Sequence, residues 1–153
     1  MILGIVGSEG AKFNKGTELS ARLRIRSLFI DYAPTLVVSG GCHLGGIDIW
    51  AVEEAKHYGI PTLEYLPEKR SWTYYRKRNI QIAVKADITV CLTVDKLPLS
   101  YKGMRFPYCY HCQTSQHIKS GGCWTVKYSR DKLGKKSYTI RLIQSPPLKH
   151  GDY

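Results

Sequence analysis

No apolar run in the 153-residue sequence approaches the roughly 20 residues that span a bilayer, so no membrane-crossing helix is expected. The start has no basic stretch followed by an apolar segment. Met1 leads straight into a β-branched run, and no secretory leader is expected. Internal repeats and low-complexity tracts are absent. The five cysteines lack the spacing of a disulfide framework, and Cys42 in a loop and Cys91 in a strand read as buried thiols. Both points favour a reducing, cytoplasmic setting. Acidic residues are scarce: 12 Asp and Glu stand against 23 Lys and Arg, a net charge of +11. Such an excess attracts phosphates, whether on a nucleotide or along a nucleic acid. The basic residues gather at 69–70, 76–78 and 127–136, with Arg22, Arg24 and Arg26 as a further group.

What is present alternates. Residues 2–6, 35–38, 62–66, 87–93 and 137–143 have the short, apolar, β-branched character of buried strands. Between them lie helical segments over about 17–32, 47–58, 72–85 and 126–133. Thr17 is a plausible N-cap for the first, with Glu18 in its first turn, and Pro34 stops it. On this helix Leu19, Leu23 and Ile30 share one face, and Arg22 and Arg26 another. In the second helix Ala51, Ala55 and Tyr58 form a stripe, Glu53 and Glu54 face solvent, and Gly59 ends the segment. Ser71 is placed to cap the third, where Trp72 is expected to pack on the sheet. Strand–helix alternation at this spacing predicts right-handed βαβ units: an α/β, Rossmann-like three-layer sandwich with a mostly parallel sheet. One domain is expected over 1–144, with an insertion at about 95–120 and a loose tail at 145–153.

Three glycine- and serine-bearing loops follow strands: GSEG at 7–10, SGGCHLGGID at 39–48 and SGGCWT at 120–125. Glycine lets the backbone approach a ligand closely, and a helix start offers free N–H groups to an anion. Three such loops predict one crevice at the carboxyl edge of the sheet. Arg78 is a fork-shaped phosphate donor by type. Asn79 suits a base or an ordered loop, and Thr125 a phosphate or a helix cap. Glu9 and Asp48 are the only acids expected inside the crevice, and so the only acid–base candidates. Cys42 beside His43 is a weak nucleophile pair, because adjacent side chains rarely face one another.

These segments resemble the SLOG superfamily, which includes the DNA-processing protein A (Smf) and Lonely Guy families. SGGCHLGGID with Ala51, Ala55 and Gly59 is similar to that group's glycine loop and helix. Arg78-Asn79 followed by Ala86-Asp87 resembles its R-N segment, and SGGCWT with Ser129 and Leu133-Gly134-Lys135 its last loop and helix. The resemblance covers about residues 1–144 in order. It implies binding of a nucleotide, a nucleotide derivative or a polymer of nucleotides at Gly7, Ser8, Gly40, Gly41, Gly45, Asp48, Arg78, Asn79, Gly121, Gly122 and Thr125. It also implies paired subunits. The hydrolase branch carries a glutamate three residues after the threonine of its last loop; Tyr128 stands there in this chain. The expectation is therefore a sensor or carrier of a nucleotide-type ligand. The alternatives are a nucleic-acid-binding module or an N-glycosidic hydrolase using Glu9 or Asp48.

Inside the insertion, Cys109-x2-Cys112-x4-His117-x5-Cys123 has metal-ligand spacing, one residue longer than the knuckle that binds single strands. Cysteine and histidine in this pattern favour tetrahedral zinc. His111 is a competing donor, and free thiols or a redox pair are the other readings. A bound ion would order the insertion without helix or strand. Trp72, Tyr74 and Tyr75 beside Arg76, Lys77 and Arg78 form a basic–aromatic mixture suited to base stacking.

Overall fold

The computed structural model describes residues 1–147; residues 148–153, the greater part of the expected tail, lie outside the described residues. Five strands alternate with four helices: β1 (Ile2–Gly7), α1 (Lys15–Tyr32), β2 (Leu36–Ser39), α2 (Ile47–His57), β3 (Thr62–Glu64), α3 (Trp72–Lys85), β4 (Ile88–Val94), α4 (Gly121–Leu133) and β5 (Tyr138–Leu142). All strands are parallel, in the order β3-β2-β1-β4-β5. This is the expected Rossmann-like α/β architecture. The chain winds outward from β1 to β3, then crosses back to β4. Loops leaving β1 and β4 therefore part company, and a crevice opens between their carboxyl ends.

Strand alternation gives the sheet two unlike faces. Leu3, Ile5, Val90, Leu92 and Val94 point to one side, where Ala21, Ile25, Leu28 and Phe29 of α1 and Ile47, Trp50, Ala51 and Ala55 of α2 cover them. Each fully buried Leu or Ile there contributes about 2 kcal/mol. The other face carries smaller groups: Gly4, Val6, Thr89 and Cys91. A Cβ on Gly4 would sit 3.0 Å from that of Ala86, so the end of α3 lies close against the sheet. Under α3 and α4, Val6, Ile82 and Val126 share a core with Cys91, Cys109 and Cys123. Thiols from the insertion thus complete a core that the helices alone leave small.

The first helix differs from expectation at its start and its buried face. It begins at Lys15 with Asn14 at the cap position. Thr17 is buried inside it and accepts a hydrogen bond from the Ser145 amide at 2.8 Å. Leu19, Leu23 and Ile30 are 57%, 50% and 80% exposed. Two apolar stripes fit the helical period on α1, and positions 19 and 21 differ by about 200° around the axis. The stripe carrying Ile25, Leu28 and Phe29 faces the sheet.

Glu54 is buried rather than solvent-facing. Its carboxylate accepts from Arg26 Nε at 2.9 Å and lies 2.8 Å from Nη2, while Glu53 meets Arg22 at 3.1 Å. Packing of α1 on α2 joins an i,i+4 arginine pair to two consecutive glutamates. Tyr58, placed on the buried stripe of α2 by periodicity, is half-exposed after that helix's last turn. Gln144, the last residue of the expected domain, is fixed to the loop before α1 and to the segment just after β4. Gln144 is buried; its amide nitrogen donates to Lys12 O and Lys96 O, and its side-chain oxygen accepts from the Asn14 amide. No described helix is long and apolar enough to cross a membrane.

Candidate functional site

The predicted crevice is present, with a volume of about 660 Å³. Its wall is built from four places far apart in the chain: Gly7, Ser8 and Glu9 after β1; Gly41, Cys42 and His43 after β2; Arg78 and Asn79 on α3; and Gly121, Gly122 and Thr125 on α4. Asp48 adds a carboxylate from the first turn of α2.

The third loop is itself helix. α4 starts at Gly121, five residues earlier than periodicity suggests, because Ser120 is its N-cap and accepts from the Gly122 amide at 3.3 Å. Two glycines cost the helix up to about 2 kcal/mol and a cap restores about 1, so the packing of Cys123 and Val126 in the core supplies the rest. The consequence is functional: the glycines stand in the first helical turn, where N–H groups have no partner within the helix. Thr125 does not serve as the cap.

Gly40 and Gly45 do not line the crevice. The Gly40 carbonyl accepts from Arg78 Nη1 at 2.6 Å, and a Cβ there would lie 2.8 Å from Asp48 Oδ2. Its lack of a side chain leaves room for both the guanidinium and the carboxylate beside the loop. Gly45 and Gly46 turn the backbone at φ of 74° and 88°. At Gly46 the loops after β1 and β2 touch: the Ile47 amide donates to Ser8 O at 3.2 Å and the Gly10 amide to Leu44 O at 3.4 Å.

Several predicted groups are already engaged. Ser8 Oγ bonds Thr93 Oγ1 at 2.9 Å, in the sheet end. Arg78 spends Nε on Asn79 Oδ1 and Nη1 on Gly40 O, leaving three of its five N–H groups. Glu9 accepts from the Tyr101 hydroxyl at 3.0 Å. Arg105 holds the Tyr101 segment through the carbonyls of Pro98, Leu99 and Tyr101. Burial pushes the thiol of half-buried Cys42 up, the opposite of an activated nucleophile.

Among the described residues three buried side-chain oxygens lack a hydrogen-bond partner: Thr89 Oγ1, on the sheet, and Asp48 Oδ1 and Thr125 Oγ1, which both belong to the crevice wall. Burial raises the Asp48 carboxyl to about 6, against the pull of Arg78 and the amides of Gly7 and Cys42. The folded state thus favours the protonated acid. The stability it confers is full below the unfolded value of 3.8 and is lost as pH rises through about 6. Asp48→Asn is therefore expected to raise unfolding free energy at pH 8 by up to about 3 kcal/mol and to bring no gain at pH 4. Urea titrations at the two pH values measure this.

Sequence reasoning missed the other cations. Lys12, Lys69, Arg70 and Lys119 line the crevice with Arg78, and Glu68 joins Glu9 and Asp48 as a third acid. Desolvation lowers the Lys12 ammonium, helped by Lys119 and opposed by Glu9, so an anion beside it would be welcome. Trp72 is 52% exposed and lines the crevice instead of packing on the sheet; its edge meets Trp124 at 5.3 Å. The only available signal for Lys12 was its place two residues after the first loop, with Lys15 close behind.

The metal-type residues also come together. One donor atom from each of Cys109, Cys112, His117 and Cys123 lies within 4.8 Å of the others, and this cluster could hold a metal ion. Around tetrahedral zinc, sulfurs stand about 3.8 Å apart, so little contraction is needed. A tight turn presents the first pair: Cys109 and Thr114 exchange two backbone hydrogen bonds, with Gln113 at φ 54°. His117 Nδ1–H donates to Ile118 O at 2.8 Å, which leaves Nε2 for the cluster and fixes the ring. His111 stands apart from it, against Tyr110. All five cysteines are free, and Cys91 lies 3.9 Å from Cys123. Burial and the neighbouring thiols push Cys112 up to about 12; a hydrogen bond with Cys91, then burial, raises Cys123. A cation among them reverses that preference. The insertion holds no helix or strand, only turns and this bridge.

Neither a scan against protein-family models nor a search of curated proteins finds a match to this chain.

Proposed function

We propose that the crevice binds the phosphate of a nucleotide-type ligand, with the protein acting as its sensor or carrier. One observation carries this: the first turn of α4 opens beside a buried hydroxyl, Thr125 Oγ1, and a buried carboxylate oxygen, Asp48 Oδ1, neither of which has a partner in the protein. Buried polar groups are nearly always satisfied, so a ligand is the natural partner. The Gly121 amide and Thr125 suit phosphate oxygens. Lys12, Lys119 and the free part of Arg78 suit its charge. Asp48 suits a sugar hydroxyl, and Trp72 and Tyr75 offer faces to a base. The volume falls in the usual small-ligand range of roughly 300–1,000 Å³.

The test is a panel of thermal shifts with inorganic phosphate, adenosine, adenosine monophosphate, a dinucleotide and single-stranded DNA. The monophosphate is expected to raise the midpoint more than adenosine does. Thr125→Val is expected to weaken its binding about 10- to 100-fold, the effect of one hydrogen bond to a charged group. No shift with any phosphorylated compound removes the proposal. An N-glycosidic hydrolase has one point in its favour: Asp48, held near 6, is suited to be a general acid. Glu9 is less suited, being tied to Tyr101. Release of free base from a nucleoside monophosphate, lost in Asp48→Asn, would decide for it.

For the four-residue cluster we propose zinc. Three thiolates and one imidazole are its preferred tetrahedral set, and thiols kept reduced for a metal fit the cytoplasm. Its role is structural. Cys123 sits between Gly122 and Thr125, so an ion holding Cys123 holds the start of α4.

A further inference from the structure

A second groove, of about 360 Å³, runs outside the crevice between the metal-type turn and the outer side of α4. One wall is Tyr110, at the tip of the turn and 53% exposed. The opposite wall is a ladder on α4: Trp124 and Tyr128, one helical turn apart, stack with ring centroids 5.4 Å apart and planes 13° apart. Aromatic rings lining both sides of an open groove are a poor arrangement for a surface meeting only water. Lys127 and Lys132 line the same groove and are exposed. Its single acid, Asp131, lies 3.5 Å from Arg130. Further cations stand over the rings, Arg76 at 6.0 Å from the Trp124 centroid and Lys119 at 5.7 Å from that of Tyr110. The chain's +11 charge supplies a field of the same sign.

We propose that this groove is a stacking site for single-stranded nucleic acid, with bases against Tyr110 and the Trp124–Tyr128 ladder and backbone phosphates on Lys127 and Lys132. Sequence-tolerant strand binding combines these two elements, aromatic faces for bases and cations tracking the backbone. A duplex keeps its bases stacked inside and cannot use the rings. An acidic peptide would use the lysines and leave the aromatic faces idle. The groove's own lining residues are not in the crevice wall, although Lys119 of that wall reaches over Tyr110 and Trp72 packs on Trp124, and the proposal does not depend on the nucleotide-type ligand.

The experiment is fluorescence anisotropy of a labelled oligothymidylate, about 12 nucleotides long, with the full chain across a salt series. Affinity is expected to fall linearly on logarithmic axes. The double variant Lys127→Ala/Lys132→Ala, both exposed positions, is expected to flatten that slope by about 1.4, the value for two phosphate contacts on a single strand. Tyr128→Ala is expected to weaken binding roughly 5- to 150-fold at every salt concentration while leaving the slope unchanged. Tryptophan emission is expected to be quenched by the strand, and less so in Trp124→Phe. Melting curves of each variant establish that it is folded. Four results overturn the proposal: no binding at low salt; binding unchanged by these substitutions; duplex or polyglutamate bound as tightly as the single strand; or binding abolished by Thr125→Val and retained in the lysine variant, which would put the strand in the crevice.

Discussion

If the proposed zinc is bound, stripping it with a chelator is expected to lower the thermal midpoint by on the order of 10 °C, and to remove binding in the crevice as well. About one equivalent of zinc should accompany the purified chain, and Cys112→Ser should lose it. The magnitude follows from what the cluster joins. Cys109 and Cys123 are part of the core under α3 and α4, beside Val6, Ile82 and Val126. Without an ion, three thiols and an imidazole crowd a buried space in a segment with no helix or strand of its own. A loss of about 3–5 kcal/mol there corresponds to roughly 10–15 °C for a chain of this size. Crevice binding should fall with it because Cys123 stands in the first turn of α4, two residues before Thr125. Cys42→Ser is the control: Cys42 lies outside the cluster, and its loss should leave zinc content unchanged. Elemental analysis together with melting curves measures both effects. A metal-free protein of equal stability would end the zinc assignment.

Gly46→Ala is expected to be as severe for a different reason. The backbone there has φ 88° and ψ −149°, a region open essentially to glycine alone. A Cβ would also lie 2.3 Å from Ser8 O and 2.6 Å from Gly10 N. Those are backbone atoms of the loop after β1, held to the same corner by the Ile47 and Gly10 amides, so they cannot swing aside. The cost is expected to reach about 3 kcal/mol or more. The neighbouring Gly45→Ala separates the two causes. Its φ is 74°, but a Cβ there meets nothing within 4 Å. It should cost only about 1 kcal/mol, the conformational part alone. Denaturant midpoints of both variants measure the difference; equal losses would mean that the contact between the two loops contributes nothing.

Much of the fold could be read from the residues because short β-branched runs alternate with helices between glycine and proline stops. The sheet's parallel order and the convergence of three loops followed from that alternation. What escaped depended on tertiary contact. Periodicity offered two apolar stripes on α1 and could not say that the one with Phe29 would face the sheet. Glu54 reads as a surface acid until α1 brings Arg26 to it. Gly121 and Gly122 read as loop because helix propensity is local, whereas the Ser120 cap and the packing of Cys123 decide the start of α4. At the site, glycines and the cysteine–histidine spacing were visible. Gly40 instead accommodates Arg78 and Asp48, and Lys12, Lys119 and Trp72 enter the crevice only through the folding of segments that carry no motif.

Amide chemical-shift mapping of isotope-labelled protein titrated with adenosine monophosphate tests the central claim most directly. Separate turns are held to converge on one anion-binding cleft. The largest shifts should therefore fall together on Gly7, Ser8, Gly41, Gly121 and Gly122, drawn from three separate stretches of the chain, and be weakened in Thr125→Val. Shifts confined to exposed lysines elsewhere, or none at millimolar ligand, would contradict it.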